Sequence, residues 1–542
     1  MKKSCSIFSK RIIAAAIALV MMFFLTGTVF ARGGQAAQQE KVVTMGLFDV
    51  WATLNPFPVN LSELSAIVQA PIYLELARVL PTGEVHPLIM ESYQMSPDGM
   101  RYRIKIRENM LWHDGMPLTA EDFVWTFHTL AKPEGVITNR PSMLNFAGVD
   151  NRGVELSPGS LAVRLIDRYT FEWDLKYPMS PMAIFFRDTT VLPKHVLEHI
   201  PVSEWNASDY WYTRPIGSGP FKFDSIVEGE RVEYVAFDQF PLGRPDFDRL
   251  IIRTMPQANL LAGLMSGDID ILAGGQYGTL PVSDAALARQ QRHLHVESIP
   301  AFMYQYISMN NSGMFSDPRV RHAVNHAIDK QRIVNEVLQG EGVVAVVPYS
   351  SNHPFHNPAL ADQFNVYNPA RARALLAEAG WDSSRVVSFG TPAGNAFRNA
   401  AAVLVQQDLA AVGINVEIRM YDNATLMTML TAGDLEMATM GSAGSVEPHE
   451  PWNLYNPDGP FCFARLTDYT YADFFNAGLS GINFESRARD YHALQAYIIQ
   501  QMPYSYLCNP NIIHAYNRDR LSNVNPMNML SAYRAYWEWR VR

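Results

Sequence analysis

The stretch from Phe315 to Asp329 reads FSDPRVRHAVNHAID and opens a clear helix signal. Apolar residues recur every three or four positions through Val320, Val324 and Ile328, which is the spacing of one buried helix face. The same spacing continues as far as Val337. We therefore expect one long helix from Asp317 to Leu338. A second helix is expected over residues 369–380, with Gly380 as its C-terminal cap.

Strand patterns alternate with these helices along the chain. The segment Val42–Leu47 predicts a strand, and Arg101–Ile106 alternates apolar with basic residues, which is the period of a half-buried strand. Thr119 follows as a helix cap, with Asp122 three residues later. Residues 61–80 also have helical character, with a break or kink expected at Pro71 and an end at Pro81. Together these patterns predict an α/β fold built on mixed sheets.

The length and composition exclude several classes of protein. The chain has 542 residues, of which 48% are hydrophobic and 18% charged, so it is a folded globular protein with several structural units. Its formal net charge of −9 disfavours nucleic acid as a partner, because phosphate binding requires a cationic surface. No phosphate-binding glycine loop of the P-loop type is present, so any ATPase must be a different chain.

The N-terminus has the layout of a secretory signal. Four basic residues precede an uninterrupted apolar run from Ile12 to Leu25, and Val29 and Ala31 are placed for cleavage after Ala31. Position 28 is Thr, where a lipid-anchored form would need Cys after Thr26-Gly27. We expect residues 1–31 to be a signal peptide, with no lipid-attachment cysteine. The mature chain is then exported to the periplasm and soluble there.

Several ordered segments together resemble one family, the large extracellular solute-binding proteins of ABC importers for peptides, nickel and some oligosaccharides. The resemblance covers about 300 residues, and four matches in the same order are far more specific than one short motif. The matching segments are residues 87–123, which include PLIMESY, SPDGM and IRENMLWHDGMPLTAEDF; residues 215–221, PIGSGPF; residues 315–329; and residues 374–381, ALLAEAGW.

The resemblance implies a two-lobed periplasmic-binding-protein fold of the large, type II-like kind, with mixed sheets and an extra subdomain inserted in the first lobe. Two crossovers near Pro300 and Asn509 would join the lobes, and the solute would be enclosed by hinge closure. The implied boundaries are 40–71, 213–299 and 510–542 for the first lobe, 72–212 for the inserted subdomain and 300–509 for the second lobe.

The resemblance also implies a function without catalysis and without a cofactor. The chain would act as a monomer that captures a small solute and delivers it to an inner-membrane ABC permease with separate ATPase subunits. An oligopeptide is the expected solute, and an oligosaccharide is the alternative within the same family.

One motif suggests an enzyme instead. His195, Glu198 and His199 match the H-x-x-E-H signature of zinc peptidases, which places two imidazoles on one helix face with a carboxylate beside them. Pro193 and Pro201 leave room for only about two helical turns around them. We therefore expect a surface helix here and no metal site, and a zinc hydrolase remains the alternative of another class.

In peptide-binding relatives, a loop after a strand of the second lobe supplies an aspartate for the ammonium group of the ligand. The matching loop begins at Gly441 and has Ser445 where that aspartate is expected, while Ser442 replaces a residue that is often Trp. Glu447 offers a carboxylate two positions later. A buried ammonium needs such a partner, so Glu447 is the candidate replacement. The alternative is that Ser445 and Glu447 only shape a turn.

Aromatic and amide side chains form the second group of candidates. They lie in segments that border the cleft in relatives, where rings can stack on sugars or cover apolar peptide side chains and amides can donate hydrogen bonds. For any single ring, packing in the core is the competing interpretation. The group consists of Trp51, Asn55, Trp452, Asn453, Tyr504 and Tyr506.

Two of the three cysteines, Cys462 and Cys508, follow the predicted cleavage site. In an oxidising compartment they can form one disulfide, whereas two free thiols are equally consistent with a core of this size. No C-x-x-C pair is present, which argues against a thiolate metal cluster.

Overall fold

A computed structural model describes residues 40–57, 63–135, 144–186, 190–275, 278–360, 367–525 and 535–542. The predicted signal peptide, residues 1–31, lies outside this part of the chain. Residues Lys41–Arg542 form one compact unit, separate from Met1–Glu40. Within the described ranges, no helix is long and apolar enough to cross a membrane.

Strands and helices alternate through the compact unit. The strands are β1 (Val42–Leu47), β2 (Ala77–Val79), β3 (Val85–Pro87), β4 (Met90–Met95), β5 (Arg101–Ile106), β6 (Val163–Asp167), β7 (Thr170–Asp174), β8 (Phe221–Val227), β9 (Arg231–Ala236), β10 (Arg249–Thr254), β11 (Ile271–Leu272), β12 (Leu294–Pro300), β13 (Tyr304–Met309), β14 (Gly342–Val344), β15 (Val386–Pro392), β16 (Asn415–Tyr421), β17 (Met437–Ser442), β18 (Tyr504–Asn517), β19 (Leu521–Ser522) and β20 (Arg540–Val541).

The helices are α1 (Glu63–Gln69), α2 (Ala120–Leu130), α3 (Pro181–Phe186), α4 (Lys194–Leu197), α5 (Tyr210–Thr213), α6 (Leu260–Ser266), α7 (Val282–Gln290), α8 (Pro318–Ala327), α9 (Lys330–Glu336), α10 (Pro369–Ala379), α11 (Ala396–Ala410), α12 (Asn423–Ala432), α13 (Trp452–Tyr455), α14 (Thr470–Ser480) and α15 (Phe484–Gln501).

The largest sheet runs in the order β16-β15-β17-β13-β18-β11-β1-β10-β9-β8, with β12 and β14 also paired to β18. Parallel pairs such as β1 with β10 and β15 with β16 occur beside antiparallel pairs such as β13 with β17. Because both kinds of pairing occur in one sheet, the prediction of a mixed α/β fold is confirmed.

The long strand β18 joins the two halves of this sheet. Its first part pairs with β13, with Tyr504 opposite Ser308, and its last part pairs with β12, with Asn517 opposite Leu294. Residues 301–303 connect β12 to β13 at the point where β18 passes from one partner to the other. The two connections between the halves therefore lie side by side, near Pro300 and Asn509.

A second sheet has the order β4-β5-β7-β6. The predicted alternation of β5 is confirmed, because Tyr102, Ile104 and Ile106 are all fully buried and the basic residues between them are more exposed. Thr119 and Asp122 form the expected capping box at the start of α2. The predicted helix over residues 369–380 is α10, and Gly380 ends it in the left-handed conformation with φ of 68°.

Two helix predictions are wrong in extent. The expected helix from Asp317 to Leu338 is divided into α8 and α9, because Ile328 is extended and the Asp329 side chain caps a new helix by accepting from the Arg332 amide. The expected helix over residues 61–80 is short: α1 ends at Gln69, in agreement with the break predicted at Pro71, but Ala77–Val79 then pairs as a strand with Val85–Pro87. A local cap therefore divides the first segment, and in the second strand pairing outweighs the local pattern.

A lysine lies inside the core beside β18. Lys330 is 4% exposed, and its Nζ donates to Asn325 Oδ1 at 2.6 Å, while Ser505 on β18 also donates to that oxygen. Burial lowers the pKa of Lys330 to about 7, and nearby Cys508 opposes this shift weakly. The folded protein therefore holds this proton less tightly than the unfolded chain does.

Lys330→Met is expected to stabilise the protein most at pH 7 and below, by up to a few kcal/mol, because it removes the cost of a buried charge. The lysine is already neutral in the folded state above pH 7, so the advantage of the variant should shrink as the pH rises towards the unfolded pKa near 10.5. Urea unfolding of both proteins from pH 6 to 10 measures this difference. A difference that stays constant with pH would contradict the shifted pKa.

Candidate functional site

A cavity of about 230 Å³ lies where three parts of the chain meet. The connection from β12 to β13 contributes Phe302, and the loop after β17 contributes Ser445 and Val446. Residues on and near β2, together with Phe185 of α3, form the opposite wall. Ile512 of β18 also lines the cavity, which therefore lies beside the point where β18 changes partner.

The loop after β17 can approach the cavity because of a glycine. Gly444 has a positive φ of 65°, and a Cβ at this position would lie 2.0 Å from the carbonyl oxygen of Phe302. Any larger residue would therefore push the loop away from the connection between β12 and β13. The cavity wall is mainly apolar, with the charged side chains of Glu63, Glu75 and Arg78 at one side.

A carboxylate with only hydroxyl donors lies in the same loop. Ser442 Oγ donates to Glu450 Oε1 at 2.7 Å, and the Tyr304 hydroxyl donates to Oε2 at 3.2 Å. Burial raises the pKa of Glu450, and the two hydroxyl groups partly oppose this shift. No basic side chain among the described residues forms an ion pair with Glu450. Residues 443–446 of its loop line the cavity, whereas Glu450 is not among the lining residues.

Glu447, the predicted partner of a ligand ammonium, has a different environment. It is 6% exposed, and both of its carboxylate oxygens accept from the Arg487 guanidinium, one of them at 3.2 Å. Arg487 is fully buried and also donates to the Gly478 carbonyl and to Ser180 Oγ. A ligand would have to displace Arg487 to reach Glu447. The contacts of Glu447 therefore favour the alternative that it belongs to the protein interior.

Ser442 and Ser445 are both close to the cavity, in different roles. Ser445 lines the cavity, its hydroxyl accepts from the Glu447 amide, and its carbonyl oxygen lies 3.0 Å from His353 Nε2. Ser442 holds Glu450 and also accepts from the Gly444 amide. The serine at the position of the expected aspartate thus shapes the loop, and Ser442 orients a carboxylate.

Most of the predicted aromatic and amide residues are buried. Trp51 is 5% exposed and Asn55 is 1% exposed, and the Asn55 side chain accepts from the Phe57 amide. Tyr504 and Tyr506 are at most 1% exposed. The Tyr504 hydroxyl donates to the Leu454 carbonyl at 2.7 Å, and the Tyr506 hydroxyl lies 2.5 Å from that of Tyr455. These four side chains pack in the core.

Trp452 and Asn453 lie at the start of α13 and are partly buried. The Trp452 ring stacks on His449, with ring centroids 6.0 Å apart and an angle of 20° between the planes. Among the predicted residues within the described ranges, Ser445 is the one that lines the cavity.

Cys462 and Cys508 are free thiols, so the disulfide alternative is not formed. Cys508 is buried on β18 beside Lys330, whereas Cys462 lies in the loop after α13 beside Tyr455 and Tyr504. The two thiols therefore have separate surroundings.

The H-x-x-E-H segment does not form a metal site. Helix α4 ends at Leu197, so Glu198 and His199 lie beyond its last turn. His195 Nε2 lies 2.7 Å from Asp114 Oδ2, and the His199 side chain is 77% exposed. Across the described residues, no group of three or more His, Cys, Asp or Glu side chains is placed to hold a metal ion.

Comparisons with known proteins identify the class. Residues 84–460 match the family described as bacterial extracellular solute-binding proteins, family 5 Middle. This match covers more than half of the chain, and the chain therefore belongs to this family. The resemblance inferred from the sequence is confirmed, and the chain is a solute-binding protein and not an enzyme.

Relatives extend the match over most of the chain. The oligopeptide-binding protein AppA of Bacillus subtilis is 27% identical over 472 residues, covering 83% of this chain and 82% of its own length. The heme-binding protein A of Haemophilus influenzae is 24% identical and covers 78% of each chain.

Solved structures support the same fold. The ABC transporter substrate-binding protein CtaP of Listeria monocytogenes has a TM-score of 0.81 at 20% identity and covers 93% of this chain and 100% of its own. Bacillus subtilis AppA in complex with a nonapeptide has a TM-score of 0.74 at 24% identity. The match covers 93% of this chain and 99% of the AppA chain.

Sequence reasoning missed Glu450, Tyr304 and Phe302. The only signal for Glu450 was its position three residues after Glu447 in the same loop. Nothing in the local pattern distinguishes the two carboxylates, because Arg487, which pairs with Glu447, is 40 residues away.

Glu447→Gln is expected to destabilise the fold by about 3–5 kcal/mol, because it leaves the buried Arg487 guanidinium without its counter-charge. Glu450→Gln is the matched control in the same loop, and it should change stability by less than about 1 kcal/mol, because its partners are hydroxyl groups. Urea unfolding of both variants measures the contrast. Equal losses in the two variants would contradict the assignment of Glu447 to the interior.

Proposed function

We propose that this chain is the exported receptor of an ABC importer and that its solute is an oligopeptide. The receptor binds the solute in the periplasm and presents it to a membrane permease served by separate ATPase subunits. Membership in the solute-binding family supports the transport role. The oligopeptide-binding relative supports the choice of solute.

The observation that carries the peptide assignment is the Glu450 carboxylate, which accepts two hydroxyl hydrogen bonds and has no cationic partner among the described residues. Burial disfavours the charged form of this carboxylate, and a cation that pairs with it offsets that cost. A peptide ammonium group supplies that cation. The cavity that residues 443–446 of the same loop help to line has mainly apolar walls, which suit a peptide side chain.

An oligosaccharide is the second candidate, and the burial of the aromatic residues weighs against it. Stacking on a sugar requires rings with an accessible face. Trp51, Tyr504 and Tyr506 are all nine-tenths buried or more, and their faces pack against the protein. Trp452 and Phe302 are only partly buried, so a sugar would depend on these two rings.

We also propose the two-lobed division, with residues 40–71, 213–299 and 510–542 in the first lobe, 72–212 as its inserted subdomain and 300–509 in the second lobe. The passage of β18 from β13 to β12 supports crossovers near Pro300 and Asn509. The Arg487 contact with Ser180 would then join the second lobe to the inserted subdomain in a closed arrangement.

Glu450→Gln is expected to weaken binding of the tripeptide Ala-Leu-Ala by about 1–3 kcal/mol, because it removes the charge that pairs with the ammonium group. N-acetyl-Ala-Leu-Ala, which lacks that group, should bind the wild-type protein weakly and be insensitive to the substitution. Isothermal titration calorimetry gives both affinities. Glu417→Gln on the exposed strand β16 is the control and should bind as the wild type does.

Native mass spectrometry of the wild type and two variants distinguishes the sugar alternative. A carbohydrate that co-purifies in native mass spectrometry, is retained by Glu450→Gln and is lost on Trp452→Ala would overturn the peptide assignment. The transport role would be unaffected, because it rests on membership in the solute-binding family and not on the identity of the solute.

Hinge closure predicts that the radius of gyration falls when a solute binds, because the lobes move together around the crossovers. Small-angle X-ray scattering on the mature protein, before and after saturation with a peptide already shown by calorimetry to bind, measures the change. An unchanged radius with a bound solute would contradict the closure.

A further inference from the structure

The part of the loop after β17 that lines the cavity, residues 443–446, is held by a histidine from another part of the chain. Across the described ranges, His353 is the one side chain outside this loop that hydrogen-bonds to any of these four residues. Its partner is the Ser445 carbonyl oxygen, which lies 3.0 Å from His353 Nε2. His353 lies between β14 and α10. The contact therefore sets where the cavity-lining backbone lies relative to that segment.

Both ring nitrogens of His353 have fixed roles. The Phe355 amide donates to Nδ1 at 3.0 Å, so Nδ1 is an acceptor and carries no proton. The neutral ring then carries its proton on Nε2, which donates to the Ser445 carbonyl. His353 is 5% exposed, so water competes little for either nitrogen. The imidazole is thus a spacer of fixed length between the Phe355 amide and the cavity-lining loop.

The surroundings of His353 keep its ring neutral. Burial lowers the pKa of His353 to about 3, and repulsion from His356 and Arg487 lowers it further, while the hydrogen bond to the Ser445 carbonyl raises it. A proton added at Nδ1 would also displace the hydrogen bond from the Phe355 amide. The contact with Ser445 therefore persists in neutral and mildly acidic solution.

The His353 ring also packs on a second wall of the cavity. Phe302, in the connection from β12 to β13, lines the cavity. Its ring centroid lies 5.3 Å from that of His353, with an angle of 75° between the planes. One side chain thus contacts residues from two of the three parts of the chain that form the cavity.

The segment that carries His353 is itself anchored near the junction of the two sheet halves. Asn352 Nδ2 donates to the Pro300 carbonyl at 2.9 Å. Pro354 approaches the turn between β2 and β3, where a Cβ on Gly83 would lie 3.6 Å from Pro354 Cγ. Because its neighbours on both sides are anchored, the His353 ring can impose a position on the loop that it contacts.

We propose that His353 is the positioning residue of the cavity-lining loop: its Nε2–H group holds the Ser445 carbonyl, and with it residues 443–446, in the arrangement that binds the solute. The inference rests on the proposed function, because it takes this cavity as part of the solute site. It adds a residue that acts on binding through the loop.

Three substitutions of His353 separate its two hydrogen bonds. In His353→Gln the terminal amide lies near the position of Nε2 and can donate to Ser445, whereas in His353→Asn the shorter side chain can only accept from the Phe355 amide. His353→Leu does neither. We expect His353→Gln to bind Ala-Leu-Ala within about threefold of the wild-type affinity, and the other two variants to bind it about tenfold more weakly. Isothermal titration calorimetry measures these affinities.

Two controls lie in the same segment. Tyr349→Phe removes a hydrogen bond of 2.8 Å from the Tyr349 hydroxyl to the Pro448 carbonyl, and Pro448 is in the loop but is not among the cavity-lining residues. His356→Leu removes a ring whose Nδ1 lies 3.0 Å from the Tyr349 carbonyl of its own segment. Both controls should keep the wild-type affinity, and thermal melts of all variants establish that they are folded at the temperature of the titration.

Two results of the titrations would overturn the proposal. Equal affinities in the three His353 variants, whether retained or lost, would show that the Ser445 hydrogen bond has no role of its own and that His353 is merely structural. A loss in Tyr349→Phe as large as that in His353→Asn would show that the whole segment, and not His353, positions the loop.

Hydrogen exchange measured by mass spectrometry tests the positioning without any solute. Amides of residues 443–449 should exchange at least about threefold faster in His353→Asn and His353→Leu than in the wild type and His353→Gln, because the loop opens more easily. Unchanged exchange in His353→Asn would overturn the role of His353. If this exchange pattern is found and no peptide binds the wild type, the peptide function is refuted and His353 remains the positioning residue of the loop.

Discussion

The long strand β18 must pair with two different strands, and the rest of the structure depends on this constraint. Its residues are buried along nearly the whole length, with Pro510 and Asn511 less buried at the passage from β13 to β12. Proline cannot donate a ladder hydrogen bond, so its position between two pairing partners costs little. The cavity lies beside this passage, where Ile512 and Phe302 face it. A site at the junction of two halves of a sheet can be opened and closed by a small change at the junction.

The two glutamates of the loop after β17, Glu447 and Glu450, have different partners. Glu447 and Arg487 neutralise each other in the interior, with ring faces of Phe355 and Tyr491 packed on the guanidinium. Such a pair contributes little net stability relative to apolar packing, but breaking it is costly, so it fixes one arrangement of the loop. Glu450 keeps only hydroxyl partners, because the loop that carries Glu447 inward turns Glu450 towards Ser442 and Tyr304. The same loop thus holds one carboxylate that is paired in the interior and one that has only hydroxyl partners among the described residues.

The local sequence predicted those elements whose signals are short in range. The capping box at Thr119, the alternation of β5 and the glycine at the end of α10 depend on neighbours within a few residues, and all three are confirmed. The same reasoning was wrong at Ile328, where the helical pattern continues through a break that Asp329 creates by starting a new helix. It was also wrong beyond Pro71, where Ala77–Val79 pairs with β3 and does not continue a helix. Periodicity describes which face is apolar, and it does not report a partner strand elsewhere in the chain.

By itself the sequence determined the class of protein, because ordered motifs over about 300 residues preserve the local turns and caps that build this fold. It also gave the loop after Gly441 as one of several candidate parts of the site. Only the tertiary structure decided which carboxylate in that loop is paired, since Arg487 reaches Glu447 from 40 residues away, and that the tyrosines Tyr504 and Tyr506 belong to the core. The physical reason is that burial and ion pairing are set by contacts between distant segments. Two glutamates three residues apart in one loop have nearly the same local sequence environment, and the fold gives them opposite roles.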